Sequence, residues 1–174
     1  MLLPARLWRS HGLRPANHPT RRLALAAGWL ALQNWTDRIE TWLADESADS
    51  RLVASLSACL KGQTDTFWPR HWTFRSLPLA KPQPLLGAPR LTDLAMNVIL
   101  PWLWSRADAG RSDALRERVE RRYFAWPAGE DNAVLRLARQ RLAGSARLPI
   151  PRTAAMQQGL LQLARDFCDQ SNVL

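Results

Sequence analysis

Asp131-Asn132-Ala133-Val134-Leu135-Arg136-Leu137-Ala138-Arg139-Gln140-Arg141-Leu142-Ala143-Gly144 reads as one complete helix. Asp131 or Asn132 offers a side-chain oxygen to the free N–H groups of the first turn. Leu135, Ala138 and Leu142 recur at the spacing that gathers them on one face. Gly144 follows, where a left-handed residue closes many helices.

The same grammar repeats on both sides. Downstream, a last helix starts near Thr153, with Met156, Leu160, Leu163 and Phe167 as its apolar stripe. Upstream, Ser112 caps a helix that turns Leu115, Val119 and Tyr123 inward and stops at Trp126-Pro127. Glu117 and Glu120 among arginines read there as a solvated face with local ion pairs. Residues 92–106 form another helix, interrupted by Pro101, and residues 49–61 a further one, with Leu52, Val53, Leu56 and Leu60 at helical spacing and Gly62 past its end. The first helix starts at Pro19, capped by His18 or Asn17, with Leu23, Ala26, Ala27 and Leu30 on one face. Ile39, Trp42 and Leu43 resume the period after a break near Thr36, whereas residues 1–10 show no period. The expectation is an all-α fold of about six helices in one domain spanning 1–174.

Residues 64–90 are different. Pro69, Pro78, Pro82, Pro84 and Pro89 exclude a continuous helix. The segment reads as a connection, with a short hairpin as an option. Within it, Phe67-Trp68-Pro69-Arg70-His71-Trp72-Thr73-Phe74-Arg75 interleaves aromatic and basic residues. Such a pattern either stacks bases and holds phosphates or anchors the segment to the core.

Hydrophobic residues make up 47% of the 174, which excludes a disordered chain and allows a core of its own. The net charge is +9, and Lys61 and Lys81 are the only lysines. Arginine in place of lysine fits a GC-rich genome, but that bias does not explain the excess over acids. The excess fits an anionic partner, nucleic acid or an acidic protein. Cys59 and Cys168 have no metal-ligand neighbours and read as reduced, buried thiols in the cytoplasm. Thr20-Arg21-Arg22 precedes the longest apolar run, residues 23–32. The run is shorter than the roughly 20 residues of a membrane span, so it reads as a core helix rather than an export signal, and no membrane partner is expected.

His11, His18 and His71 show no metal-ligand spacing. The glycines form no phosphate loop, and no nucleophile signature stands out. No catalytic residue, metal or cofactor is expected. Two constellations carry chemistry instead. Arg14, Asn17, His18, Arg21 and Arg22 surround a helix start, where free N–H groups and guanidinium forks suit an anion; a capped start with solvated arginines is the plainer reading. In Asn97-Val98-Ile99-Leu100-Pro101, proline removes the N–H that would meet the Asn97 carbonyl. With Gln157 and Gln158 this makes either a packing kink or a polar notch facing a partner.

Taken in order, these motifs resemble a bacterial domain-of-unknown-function family (family twenty-eight fifty-one). The carriers are Arg14-Pro15-Ala16-Asn17-His18-Pro19 with Arg21 and Arg22, then 97–101, Pro127 and Asn132, Gln157-Gln158-Gly159-Leu160 and Phe167-Cys168. The resemblance covers residues 14–168 and implies the helical C-terminal half of longer proteins. The first half of those proteins carries acidic, histidine-rich, nuclease-like motifs. The family carries no established activity, so the leading reading stays that of the residues: a non-catalytic accessory module that binds nucleic acid or another anionic partner, with a separately encoded N-terminal half as a further partner. The alternatives are a C-terminal fragment of a nuclease-like enzyme and a purely structural helical partner.

Overall fold

The computed structural model describes residues 12–169, apart from 33, 62–64, 145 and 147. The lead-in over residues 1–10, His11 and Gly62 lie outside the described residues. Seven helices and no strand occur among the described residues. After a 3-10 turn at Pro15–Asn17 come α1 (Pro19–Leu30) and α2 (Trp35–Ala44). A second 3-10 turn, Glu46–Arg51, leads into α3 (Leu52–Cys59). The fourth helix, α4, has three parts: Ala88–Leu94, a π segment at Ala95–Ile99, and Leu100–Ala109. Then follow α5 (Asp113–Ala125), α6 (Ala133–Ala143) and α7 (Ala154–Ala164), the last running into a π turn at Arg165–Asp169.

The core runs along α4. Leu91, Ala95, Met96, Ile99, Leu100 and Leu103 are buried there, against Ile39 and Trp42 of α2, Leu52 and Leu56 of α3, Val119 of α5, and Trp126. Leu56, Ala95, Leu100 and Trp126 are closed to solvent altogether. Pro101 is accommodated because the helix widens ahead of it: the Leu100 N–H donates to the Ala95 carbonyl, five residues back. A wider turn spares the proline ring the clash that a regular helix imposes. The expected interruption is therefore a change of register, and the helix continues through it.

The segment before α4 forms no hairpin among the described residues. It holds a 3-10 turn at Trp68–Arg70 and otherwise turns and bends. Its prolines cannot donate to a ladder. The carbonyls of Trp68, His71, Gln83 and Pro84 all face one side chain, Arg21 of α1. A buried guanidinium thus satisfies backbone groups that a strand partner would otherwise have to meet.

Two helices present a different face from the one their apolar spacing marks. On α1, Leu23, Ala27 and Leu30 are exposed, and the fully buried side chain is Arg21. On α7, Met156, Leu163 and Phe167 are exposed, while Ala154, Gln157 and Ala164 are buried. The same cause acts on both: a polar anchor (Arg21 on α1, Gln157 on α7) hydrogen-bonds inward and fixes the rotation. Cys59 and Cys168 are half-buried rather than buried. Burial pushes the Cys59 thiol upward, and its Sγ donates to the Arg38 carbonyl at 3.3 Å.

The arginines of α5 are not a uniformly solvated face either. Glu117 and Glu120 are exposed as expected, but Arg122 is only 1% exposed. Its Nη1 donates to the Trp42 carbonyl at 2.7 Å, its Nη2 to the Asp45 carbonyl, and its Nε to the Asp49 carboxylate at 2.6 Å. Arg118 donates to the Ala44 carbonyl at 2.9 Å and to Glu46 at 2.8 Å. These carbonyls lie at the end of α2, where the last turn runs short of helical N–H groups and the helix dipole is negative; the Asp45 carbonyl also accepts from the Ala48 N–H at 3.2 Å. Arg38 does the same for α3, donating to the Cys59 and Lys61 carbonyls at 3.1 and 3.2 Å. Arginine is the suitable residue, because one planar fork reaches several carbonyls at once.

At the start of α6 the two cap candidates divide the work. Asn132 Oδ1 accepts from the Leu135 N–H at 3.0 Å. Asp131 instead receives both arms of Arg139, at 3.0 and 2.8 Å. These hydrogen bonds hold the Asp131 carboxyl below its ordinary value of 3.8. A carboxyl lowered in the folded state adds stability above its unfolded pKa and loses it as pH falls through the folded one. Asp131→Asn is therefore expected to melt at a lower temperature than the parent at neutral pH, with the gap closing below pH 3.8. A gap that stays constant from neutral to acid pH would show that the ion pair adds nothing.

Candidate functional site

A cleft of about 1000 Å³ opens where α1, α4 and α7 converge. The turn at Pro15–Asn17 and α1 bring Arg14, Asn17, Arg21 and Arg22 to one wall. Across from them α4 contributes Arg90, Asp93 and Asn97, and α7 contributes Gln157 and Gln158. The segment from Gln83 to Gly87 and the loop residues Gly129, Glu130 and Asn132 close the remaining sides. The anion-site and notch residues, expected separately, thus border one cavity. His18 alone is left out of it: as the cap of α1, its Nδ1 meets the Thr20 N–H at 3.4 Å and lies 2.8 Å from Thr20 Oγ1.

The seven candidates in the cleft divide by what their polar atoms already do. Arg21 is buried, and its Nη atoms donate to the carbonyls of Trp68, His71 (2.8 Å), Gln83 (3.1 Å) and Pro84 (3.3 Å). Its guanidinium lies 4.7 Å from the Trp72 ring centroid. Nε has no partner among the described residues, and burial lowers the pKa of the group. Arg21 therefore builds the wall rather than offering a free fork. Gln157 is also structural: its Oε1 accepts from the Gly129 N–H at 2.8 Å and its Nε2 donates to the Gly129 carbonyl at 3.1 Å. This amide pairing extends a short stretch of backbone pairing, in which Ala154 N–H meets the Trp126 carbonyl at 2.9 Å and Ala128 N–H the Arg152 carbonyl at 3.2 Å.

Arg14, Asn17, Arg22, Asn97 and Gln158 remain to face the cavity. Arg14 is exposed, and no ion pair holds it among the described residues. Arg22 gives one Nη to Asn17 Oδ1 at 2.8 Å. Asn97 belongs to the π segment, a kind of irregularity often found at functional sites. Its Nδ2 donates to the Asp93 carbonyl at 2.9 Å and its Oδ1 accepts from Gln158 Nε2 at 3.4 Å, linking α4 to α7. Four arginines (Arg14, Arg21, Arg22 and Arg90) border the cleft against two carboxylates, Asp93 and Glu130, and Arg90 pairs with Asp93 at 3.0 Å. The local balance is positive, on the side of Arg14 and Arg22.

Sequence reasoning missed Arg90, Trp29 and Trp72 as cleft residues. Trp72 carried a signal, because it stands in the aromatic–basic stretch. The others in that stretch go elsewhere: Trp68 is buried as an anchor, and Phe67 stacks on His71 with centroids 4.1 Å apart. Among the described residues no group of three His, Cys, Asp or Glu side chains is placed to hold a metal, and no helix is long and apolar enough to cross a membrane.

Over residues 2–132 the chain matches the family described as "Protein of unknown function (DUF2851)". The chain belongs to that family. The match begins ahead of Arg14 and ends at Asn132, so a restriction to a helical C-terminal half is not borne out, and Gln157, Gln158, Phe167 and Cys168 lie beyond it. In this DUF2851 member the arginine wall, Asn97 and the Gly129–Asn132 side of the cleft fall inside the matched residues, and the α7 side falls outside them. No curated protein and no solved structure matches the chain.

Proposed function

We propose that this DUF2851 member is a non-catalytic binding module whose cleft receives nucleic acid, with Arg14 and Arg22 at the phosphates. The observation that supports this reading is the meeting of those two exposed arginines with Asn97 and Gln158 around one concave surface. Guanidinium forks suit phosphate oxygens, and paired amides offer both donors and acceptors beside them. The start of α1 adds its partial positive charge to the same wall. Residues 1–174 then act as one domain, in a bacterial cytoplasm where both thiols stay reduced.

The test is titration of a labelled oligonucleotide at about 50 and about 200 mM salt, where counterion release separates phosphate contacts from others. The parent is expected to bind without sequence preference and to weaken steeply at the higher salt. The double variant Arg14→Gln, Arg22→Gln is expected to bind at least about tenfold more weakly at low salt, with the salt slope reduced by about one per arginine. Arg21 is kept out of this variant, since its loss would disturb the fold. A double variant that binds like its parent removes the site. A parent that fails to bind even at low salt removes nucleic acid as the partner, and an acidic protein becomes the ligand to test.

A further inference from the structure

Two indole rings border the same cleft. Trp72 is half-buried, with the Arg21 guanidinium 4.7 Å from its ring centroid. Trp29 is fixed by its Nε1 donating to the Leu60 carbonyl at 3.1 Å and by the Trp35 ring at 5.4 Å. Both rings are held in place by groups of the protein before any ligand arrives. A cation against the Trp72 ring also fixes that ring's orientation in the wall.

Rigid aromatic surface, exposed arginines and amide side chains within one cavity suit an unpaired base and its backbone. Stacking needs a base with an open face, and in a duplex both faces are already stacked. A cavity of about 1000 Å³ has room for a few nucleotides. Asn97 and Gln158 stand across the cleft, where amides can meet the edges of a base that no complementary strand covers.

From this we infer that the cleft takes single-stranded nucleic acid: the backbone lies on Arg14 and Arg22, and a base stacks on Trp72. The inference rests on the nucleic-acid reading above and narrows it to one form of the ligand.

The experiment compares three labelled ligands with equal numbers of phosphates on the unaltered chain: an unpaired strand, an abasic strand and a duplex. The unpaired strand is expected to bind about tenfold more tightly than either of the others at the same salt, since each stacked base contributes about that factor. Trp72→Leu is expected to bring the unpaired strand down to the abasic level while leaving the salt slope unchanged. Circular dichroism establishes that the variant is folded. If it is not, the abasic comparison on the unaltered chain decides alone. Equal binding of all three ligands would overturn the single-strand inference and leave the phosphate reading standing. No binding of any of them would end both. A mononucleotide that binds as tightly as the strand would also overturn it, by showing that the cleft takes a single residue rather than a chain.

Discussion

Arg21→Leu is expected to lose about 4 kcal/mol of folding stability, because buried carbonyls left without donors cost about 1–3 kcal/mol each. Four carbonyls accept from this guanidinium, those of Trp68, His71, Gln83 and Pro84, and the Trp68 carbonyl keeps a second donor in the His71 N–H at 3.4 Å. Water entering the gap recovers part of the cost, which keeps the sum below four full penalties. Natural domains hold about 5–15 kcal/mol in reserve, so the loss is a large share of the total. Arg21→Lys is expected to recover less than half of it, since a compact ammonium cannot span carbonyls on both sides of the segment. Denaturant titration followed by circular dichroism gives the magnitude. Limited proteolysis gives the location, with new cleavage expected between residues 65 and 87. A leucine variant within about 1 kcal/mol of the parent would mean that the carbonyls find other partners at little cost.

Arg122→Met is expected to cost about 3 kcal/mol, near the lower end for breaking a buried charge pair. Methionine keeps most of the volume, so the loss reports the hydrogen bonds to the Trp42 and Asp45 carbonyls and the contact with the Trp42 ring, 4.4 Å from the guanidinium. Asp49 is one-third exposed and can turn to water, which is why the cost stays moderate. Asp49→Asn alone is expected to cost less than Arg122→Met, because both carbonyls keep their donor. If the two single variants were equally destabilised, the ion pair and not the end of α2 would be what Arg122 serves.

The helices were legible because their signals are local. Pro19 after His18, Asn132 before Ala133, Thr153 before Ala154 and Gly144 after Ala143 each mark a boundary within a few residues. Pro101 likewise announced a disturbance at Asn97. The facing of α1 and α7 was not legible. Hydrophobic spacing assumes that the most apolar side turns inward, whereas the rotation here follows Arg21 and Gln157, whose partners are backbone groups with no residue-type signature. The cleft was half legible. Composition and position pointed to Arg14, Asn17 and Arg22 and to Asn97 and Gln158 as polar sites. That they share a cavity depends on how α1, α4 and α7 meet, and no local pattern encodes that meeting. Net charge alone does not place the arginines: Arg21, Arg38, Arg118 and Arg122 are occupied with carbonyls and add little to the face of the cleft.

The π segment of α4 bears on how this chain tolerates insertions and deletions. A π turn holds one residue more than the α turn it replaces, and one residue is about 100° of rotation. Deleting a single residue within Ala95–Ile99 would let an α turn replace the π turn, so that the second part of α4 keeps its facing relative to the first. Leu100 and Leu103 would still face the core, but Pro101 would now press on the turn before it. The extra residue can therefore be lost without strain only where the proline is lost with it.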